Sequence, residues 1–206
     1  LDLYRPVEFK LKRTEVLFMA EKNPSGLEGE AWTDKIELKW LPPYNKIKHY
    51  TVYMKTSEKG KYQPAASTEN LDTTIKKLKS NTTYWIMVTA TDTDDYESLP
   101  SNELKITTKN ILPGKPGEVL YTIDDKGNRV LTWKAAVDPD GKIEKYRVYS
   151  LQGDEQKPAG ETKSLTYKLK ADVPFDKIYL AAVDNMGDES GMVRAFEYQG
   201  REMHVT

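Results

Sequence analysis

KHYTVYMK (residues 48–55) returns later in the chain as EKYRVYSL (144–151). Each copy carries an aromatic, a variable residue, a valine and a second aromatic: Tyr50, Val52 and Tyr53, then Tyr146, Val148 and Tyr149. Alternation of this kind marks a half-buried strand. Tyr50 with Val52, and Tyr146 with Val148, are therefore expected to face a core, while Tyr53 and Tyr149 turn the other way. The flanking segments repeat as well. KIELKWLPP (35–43) puts Ile36, Leu38 and Trp40 on one strand face, and RVLTWKAA (129–136) does the same with Leu131 and Trp133. TTYWIMVTATDTDDYES (82–98) alternates Tyr84, Ile86, Val88 and Ala90 before an acidic turn, and DKIYLAAVDNMGDES (176–190) matches it through Ile178, Leu180 and Ala182. Three landmarks in one order, about 92 to 96 residues apart, describe a small domain built twice; the spacing is too long for a solenoid repeat.

Composition agrees with short strands joined by turns. Thirteen Tyr, four Trp, eleven Pro and twelve Gly suit an all-β chain better than long helices. Charged residues make up 31% yet balance to a net charge of -1, so no overall basic field draws in nucleic acid or an acidic membrane. The absence of cysteine removes disulfides, thiolate metal sites and thiol nucleophiles, and each core must hold by packing. No run approaches the roughly 20 apolar residues of a membrane-spanning helix. A chain that opens LDLYRPVEFK, at Leu1 and without Met, reads as a processed protein or an excised fragment.

The first copy resembles the fibronectin type III family. In PSGLEGEAWTDKIELKWLPP, Pro24, Leu27 and Trp40 followed by Pro42 and Pro43 look like the family's first two strands. YTVYMK looks like its third strand, Leu78 and Tyr84 like its leucine and tyrosine corner, and ESLPSNELKITT like its last strand. The second copy keeps Trp133, Tyr146 and the DKIYLAAVDNMGDES strand but has Asp176, preceded by Phe175, at the corner position. The resemblance implies two tandem immunoglobulin-like β-sandwiches, at 24–108 and 117–200, joined by a short linker, 109–116, and followed by a tail, 201–206. Residues 1–23 lie outside it. Their alternating Val7, Phe9 and Leu11 and the apolar VLFMA (16–20) fit either the end of a preceding domain or an arm packed on the first copy.

Chemistry finds few footholds. Neither His49 nor His204 sits near a nucleophile motif such as GxSxG, and no phosphate loop is present. Asp92, Asp94, Asp95 and Glu97 form the densest acidic group, but their order is not that of a calcium loop, and a solvated hairpin explains them. DPDG (138–141) reads as turn chemistry. NTT (81–83) is a glycosylation sequon, meaningful only in a secretory pathway that uses it. Lys76, Lys77 and Lys79 lack the aromatic interleaving of a nucleic-acid platform. No catalytic, cofactor or metal residues are assigned.

Two tryptophans stand apart from the core positions. Trp85 falls between inward Tyr84 and Ile86 and should point outward, and Trp32 likewise lies off the core-tryptophan positions of Trp40 and Trp133. Exposed aromatics on strands are candidate contacts for a protein or a sugar ring. Trp85, Tyr53, Tyr149 and Trp32 are therefore the candidate partner-binding residues. The resulting expectation is a non-enzymatic interaction, adhesion or spacer module of a larger surface or envelope protein, extracytoplasmic and from a bacterial lipoprotein or envelope protein. Its expected partner is a protein, with a glycan as second candidate and nucleic acid excluded. The alternatives are accessory domains of a polysaccharide-degrading enzyme, or a phage or secretion-assembly component.

Overall fold

The structure is a computed structural model that describes residues 22–169 and 177–198. The chain divides into two units, one ending at Lys109 and the other beginning at Asn110. Unit 1 contains β1 (Ser25–Ala31), β2 (Lys35–Leu41), β3 (Ile47–Lys55), β4 (Gln63–Thr68), β5 (Asp72–Lys76), β6 (Thr83–Asp92) and β7 (Leu104–Thr107). They form one sheet in the order β1-β2-β5 and a second in the order β4-β3-β6-β7. All these pairings are antiparallel.

Period-2 alternation decides which side chains fill the sandwich. Leu27, Ile36, Leu38 and Trp40 from the first sheet meet Tyr50, Val52, Tyr84, Ile86, Val88 and Ala90 from the second. Trp40 packs edge-on against Tyr50, with ring centroids 5.5 Å apart and an interplanar angle of 63°. Tyr84 does two jobs: its ring is in the core, and its hydroxyl accepts the Lys79 N–H at 2.9 Å, closing the corner before β6. Asn102 ties the sheets at the far edge, where its side chain accepts the Leu27 N–H at 2.9 Å and donates to the Leu27 carbonyl at 3.0 Å.

Unit 2 contains β8 (Gly117–Ile123), β9 (Arg129–Lys134), β10 (Ile143–Gln152), β11 (Glu155–Thr162), β12 (Thr166–Lys168), β13 (Ile178–Asp184), β14 (Val193–Arg194) and β15 (Phe196–Glu197). Its sheets run β12-β9-β8-β15 and β11-β10-β13-β14. Val119, Leu131 and Trp133 pack against Tyr146, Val148, Ile178, Leu180 and Ala182. Trp133 and Tyr146 repeat the edge-on contact at 5.2 Å and 62°. The two differ in one bond: the Tyr146 hydroxyl accepts the Ala136 N–H at 3.0 Å, whereas three residues after Trp40 stands Pro43, which has no N–H to give. The last strand also changes sheets. β14 pairs antiparallel with β13, then β15 pairs parallel with β8. The corner position of this copy, Phe175 and Asp176, lies outside the described residues, as do 1–21, His204 and the 201–206 tail.

One turn design recurs three times. After Asp92, Asp124 and Asp184 the chain makes a three-residue hairpin loop, with the aspartate N–H donating to the carbonyl of Tyr96, Asn128 and Asp188 respectively. In each, one aspartate oxygen accepts two further backbone N–H groups: Asp94 and Tyr96, Lys126 and Asn128, Met186 and Asp188. The residue before the loop closes is left-handed, at φ 65° for Asp95, 76° for Gly127 and 93° for Gly187. A β-carbon at Gly187 meets no atom within 4 Å, so Gly187→Ala isolates the backbone cost. It should destabilise unit 2 by about 1 kcal/mol; a denaturation midpoint that does not move would rule out the left-handed loop.

Linker residues 109–116 are bonded into the units on either side. Lys109 N–H donates to the Trp32 carbonyl at 2.9 Å, within unit 1. Asn110 donates through its side chain to Asp184 at 2.7 Å and Asp188 at 2.9 Å, and Gly114 N–H to the Val137 carbonyl at 2.8 Å, within unit 2.

Candidate functional site

The outer face of the β4-β3-β6-β7 sheet of unit 1 holds two of the four candidate residues. Register places Tyr53 opposite Met87, and Trp85 between Lys55 on β3 and Lys105 on β7. Trp85 is half-buried, with the Lys105 Nζ 5.4 Å from its ring centre. Lys55 turns its ammonium 4.6 Å from the ring of Tyr62 and 3.5 Å from Glu103, while keeping a side-chain exposure of only 12%. Tyr62 donates its hydroxyl to Glu103. Burial and this neighbouring carboxylate push the Tyr62 hydroxyl well above the ordinary phenol range, and the same bond lowers Glu103. The result is a strip of alternating aromatic and cationic groups, Tyr62, Lys55, Trp85 and Lys105, with Glu103 fixing one end. Such cation–ring contacts add about 0.5–1 kcal/mol each when exposed and more when a partner excludes water.

Tyr53 is tied down beside this strip. Its hydroxyl donates to Glu97 at 2.9 Å, and the Thr89 hydroxyl donates to the same oxygen at 2.6 Å. The hydrogen bond to Glu97 raises the Tyr53 hydroxyl pKa above its usual value. This arrangement also accounts for the acidic group read in the sequence. Asp92 binds its own loop, Asp95 pairs with Lys48 at 2.6 Å, and Glu97 holds Tyr53 and Thr89. These oxygens serve the hairpin.

Unit 2 presents a different face on the same scaffold. Tyr149 is 9% exposed, and its hydroxyl donates to Glu189 at 2.7 Å. Arg147 bonds both Glu189 and Glu161, and Lys145 reaches Glu161 at 2.6 Å. Hydrogen bonding with Tyr149 and then Glu161, with the Glu189 charge beside them, holds the Arg147 guanidinium far above its ordinary range. A tyrosine that points away from the core is thus covered by long charged side chains on its own sheet and leaves little ring surface for a partner. At the place of Trp85 this copy has Lys177, and Lys157 follows Gln156 where unit 1 has Gln63 after Tyr62. The aromatic–cation strip belongs to unit 1.

Trp32 stands apart, at the turn after β1. It is 40% exposed, with Lys35 and Lys109 ammonium groups 4.9 and 4.6 Å from its ring centre. Its N–H donates to the Lys35 carbonyl at 2.8 Å, which sets the turn. His49 is half-buried on β3 opposite Thr91. Sequence reading missed Tyr62, because it sits in a turn, and missed the bulge that seats it. In both copies a proline on the edge strand, Pro64 or Pro158, lies opposite the outward tyrosine, with the register shift beside it. The matching QPAA (63–66) and KPAG (157–160) were the available signal.

The sequence model described as Fibronectin type III domain matches residues 22–107. The chain is 30% identical over 173 residues to human Phosphatidylinositol phosphatase PTPRQ, covering 82% of this chain and 7% of that protein. The rat protein of the same name is 33% identical over 119 residues, 56% of this chain and 5% of the relative. The chain therefore spans less than a tenth of either relative. A two-domain fibronectin type III segment from chicken tenascin superposes with a TM-score of 0.49 at 20% identity, over 84% of this chain and 97% of that one. Among the described residues no helix is long and apolar enough to cross a membrane. Residues 22–107 are a fibronectin type III domain, and the chain is a tandem of two β-sandwiches of that fold.

Proposed function

We propose that this tandem does no chemistry of its own and serves as a spacer and protein-interaction module within a larger extracytoplasmic protein, with the outer sheet face of unit 1 as the contact surface. The observation that carries this reading is the contrast between the units. Apart from β15 both share strand order, and their cores match, yet unit 2 closes its outer face with Arg147, Glu161 and Glu189, while unit 1 leaves half-exposed rings under lysines. The fold does not require Trp85 or Tyr62, since the other copy folds without them. Half-exposed aromatics beside fixed charges are the composition of interface hot spots, and they favour a protein partner bearing carboxylates that meet the exposed Lys105.

Placing a photo-crosslinking phenylalanine analogue at position 85 of the full-length parent protein, in its own cell, should give one discrete heteromeric product. Trp85→Ala should abolish partner capture at position 53 while leaving the unfolding midpoint close to that of the parent. Capture unaffected by Trp85→Ala would sink the assignment of this face. Products with glycan in place of protein would move the module to the carbohydrate-associated alternative.

A further inference from the structure

Alternation along β9 puts Arg129 on the same face as Leu131 and Trp133, the face that looks between the sheets. Aligning Trp133 with Trp40 sets Arg129 against Ile36, which is completely buried in unit 1. The neighbours match too: Ile36 pairs with Ile75, and the buried Leu169 donates its N–H to the Arg129 carbonyl at 2.9 Å. A half-buried guanidinium therefore stands where the same fold accepts an isoleucine. Packing gives no reason for it, and departures from a local rule gather at functional sites.

The crossing of the last strand borders the space that Arg129 enters. β14 ends at Arg194, Ala195 donates its N–H to the Ile178 carbonyl at 2.8 Å, and β15 begins at Phe196 on the other sheet. A cavity of about 100 Å³ here is lined by three cations, Arg129, Lys177 and Arg194, one carboxylate, Glu197, and the rings of Tyr121 and Phe196. The Arg129 guanidinium is 5.8 Å from the Tyr121 ring centre, and that of Arg194 is 5.7 Å from Phe196. Tyr121 donates its hydroxyl to Glu197 at 3.3 Å. Burial raises the Tyr121 hydroxyl pKa and Glu197 adds to the rise, while Arg129 and Arg194 both oppose it, so the two guanidiniums act on one oxygen.

Three cations against one carboxylate leave two positive charges around a space with room for about three waters. Each guanidinium offers a planar fork of N–H donors that meets two oxygens of a phosphate or carboxylate at once. A carboxylate would offset half of the charge, and a dianion offsets all of it. We propose that this cavity binds one tetrahedral dianion, phosphate or sulfate, with Arg129 and Arg194 as the forks and Lys177 as a further donor. Tyr121 and Phe196 hold the guanidiniums against their rings, and Glu197 fixes Tyr121.

Titration calorimetry and thermal unfolding of the 206-residue chain, at an ionic strength held constant with chloride, test this. Inorganic phosphate and sulfate should each raise the midpoint of unit 2 and leave that of unit 1 in place, and acetate should move neither. Arg129→Ile supplies the residue with which unit 1 folds, so unit 2 should stay folded while phosphate affinity falls at least about tenfold. Arg194 is exposed, so Arg194→Gln gives a second reading that does not depend on the core, with a loss of similar size. Glu197→Gln removes the opposing charge and should strengthen binding. Phosphate held more tightly than O-phosphoserine would support the free ion as occupant, and the reverse order a phosphate ester. A shift no larger than chloride gives would overturn the proposal, as would equal phosphate affinity in the parent and in Arg194→Gln.

Discussion

Trp40→Ala is expected to destabilise unit 1 by about 3–5 kcal/mol. The indole is 4% exposed and spans the space between the two sheets, edge-on to Tyr50. Its loss leaves a cavity that Ile36, Leu38 and Val52, each buried in its own strand position, cannot collapse into without moving backbone. Small domains have about 5–15 kcal/mol of stability in total, so the variant should stand near the edge of unfolding at room temperature. Unit 2 has its own core around Trp133, and its transition should stay where it is. Trp40→Phe should cost much less than alanine. The Nε1 groups of both Trp40 and Trp133 are buried without a hydrogen-bond partner, and phenylalanine removes that uncompensated donor while keeping most of the ring. Urea denaturation followed by circular dichroism separates the outcomes; an alanine variant within about 1 kcal/mol of the parent would contradict the packing described.

The second large effect is expected at Asp184. This carboxylate is 1% exposed, with one oxygen taking the Met186 and Asp188 N–H groups at 2.8 and 2.9 Å and the other taking the Asn110 amide at 2.7 Å. Asp184→Asn keeps one acceptor and replaces the other with NH2, which must face donors on either side. A buried donor left against a donor costs about 1–3 kcal/mol. Asn110→Ala should cost less in that background than in the parent, because the opposing amide is gone, so the double-mutant cycle should be non-additive. Asp92→Asn in unit 1 makes the comparison: that residue is only half-buried and carries the same loop bonds on one oxygen, so the change should be milder. Equal effects at the two positions would mean that the Asn110 contact contributes nothing.

The cores were legible in the sequence because the side chains that meet between the sheets recur with period 2, even where β13 also buries Ala181 and Val183 on its other face. Ile36, Leu38 and Trp40, Tyr50 and Val52, and the β6 and β13 runs all lie where period 2 puts them. The outer faces were less legible, because facing away from the core is not the same as meeting solvent. Tyr149 and Tyr53 sit at one position of the repeat, yet Arg147 and Glu189 cover the former, and Thr51 stands where Arg147 would be in unit 1. Neighbours across strands decide exposure, and a linear pattern does not contain them until register is known. Tyr62 shows the same limit. It becomes part of the strip only because the turn after β3 folds it over Lys55.

The change of sheet by the last strand of unit 2 bears on how the molecule carries load. β8, where the chain enters, and β15, where it leaves, are neighbouring parallel strands, with Phe196 beside Leu120 and Tyr198 N–H donating to the Tyr121 carbonyl at 2.9 Å. Opposite pulls at the start of one and the end of the other slide the two past each other, so their hydrogen bonds are strained together and must rupture as a group. A hairpin pulled at its open end would surrender them one after another. Entry and exit by paired parallel strands therefore place the β8–β15 hydrogen bonds of unit 2 in shear when its two ends are pulled apart.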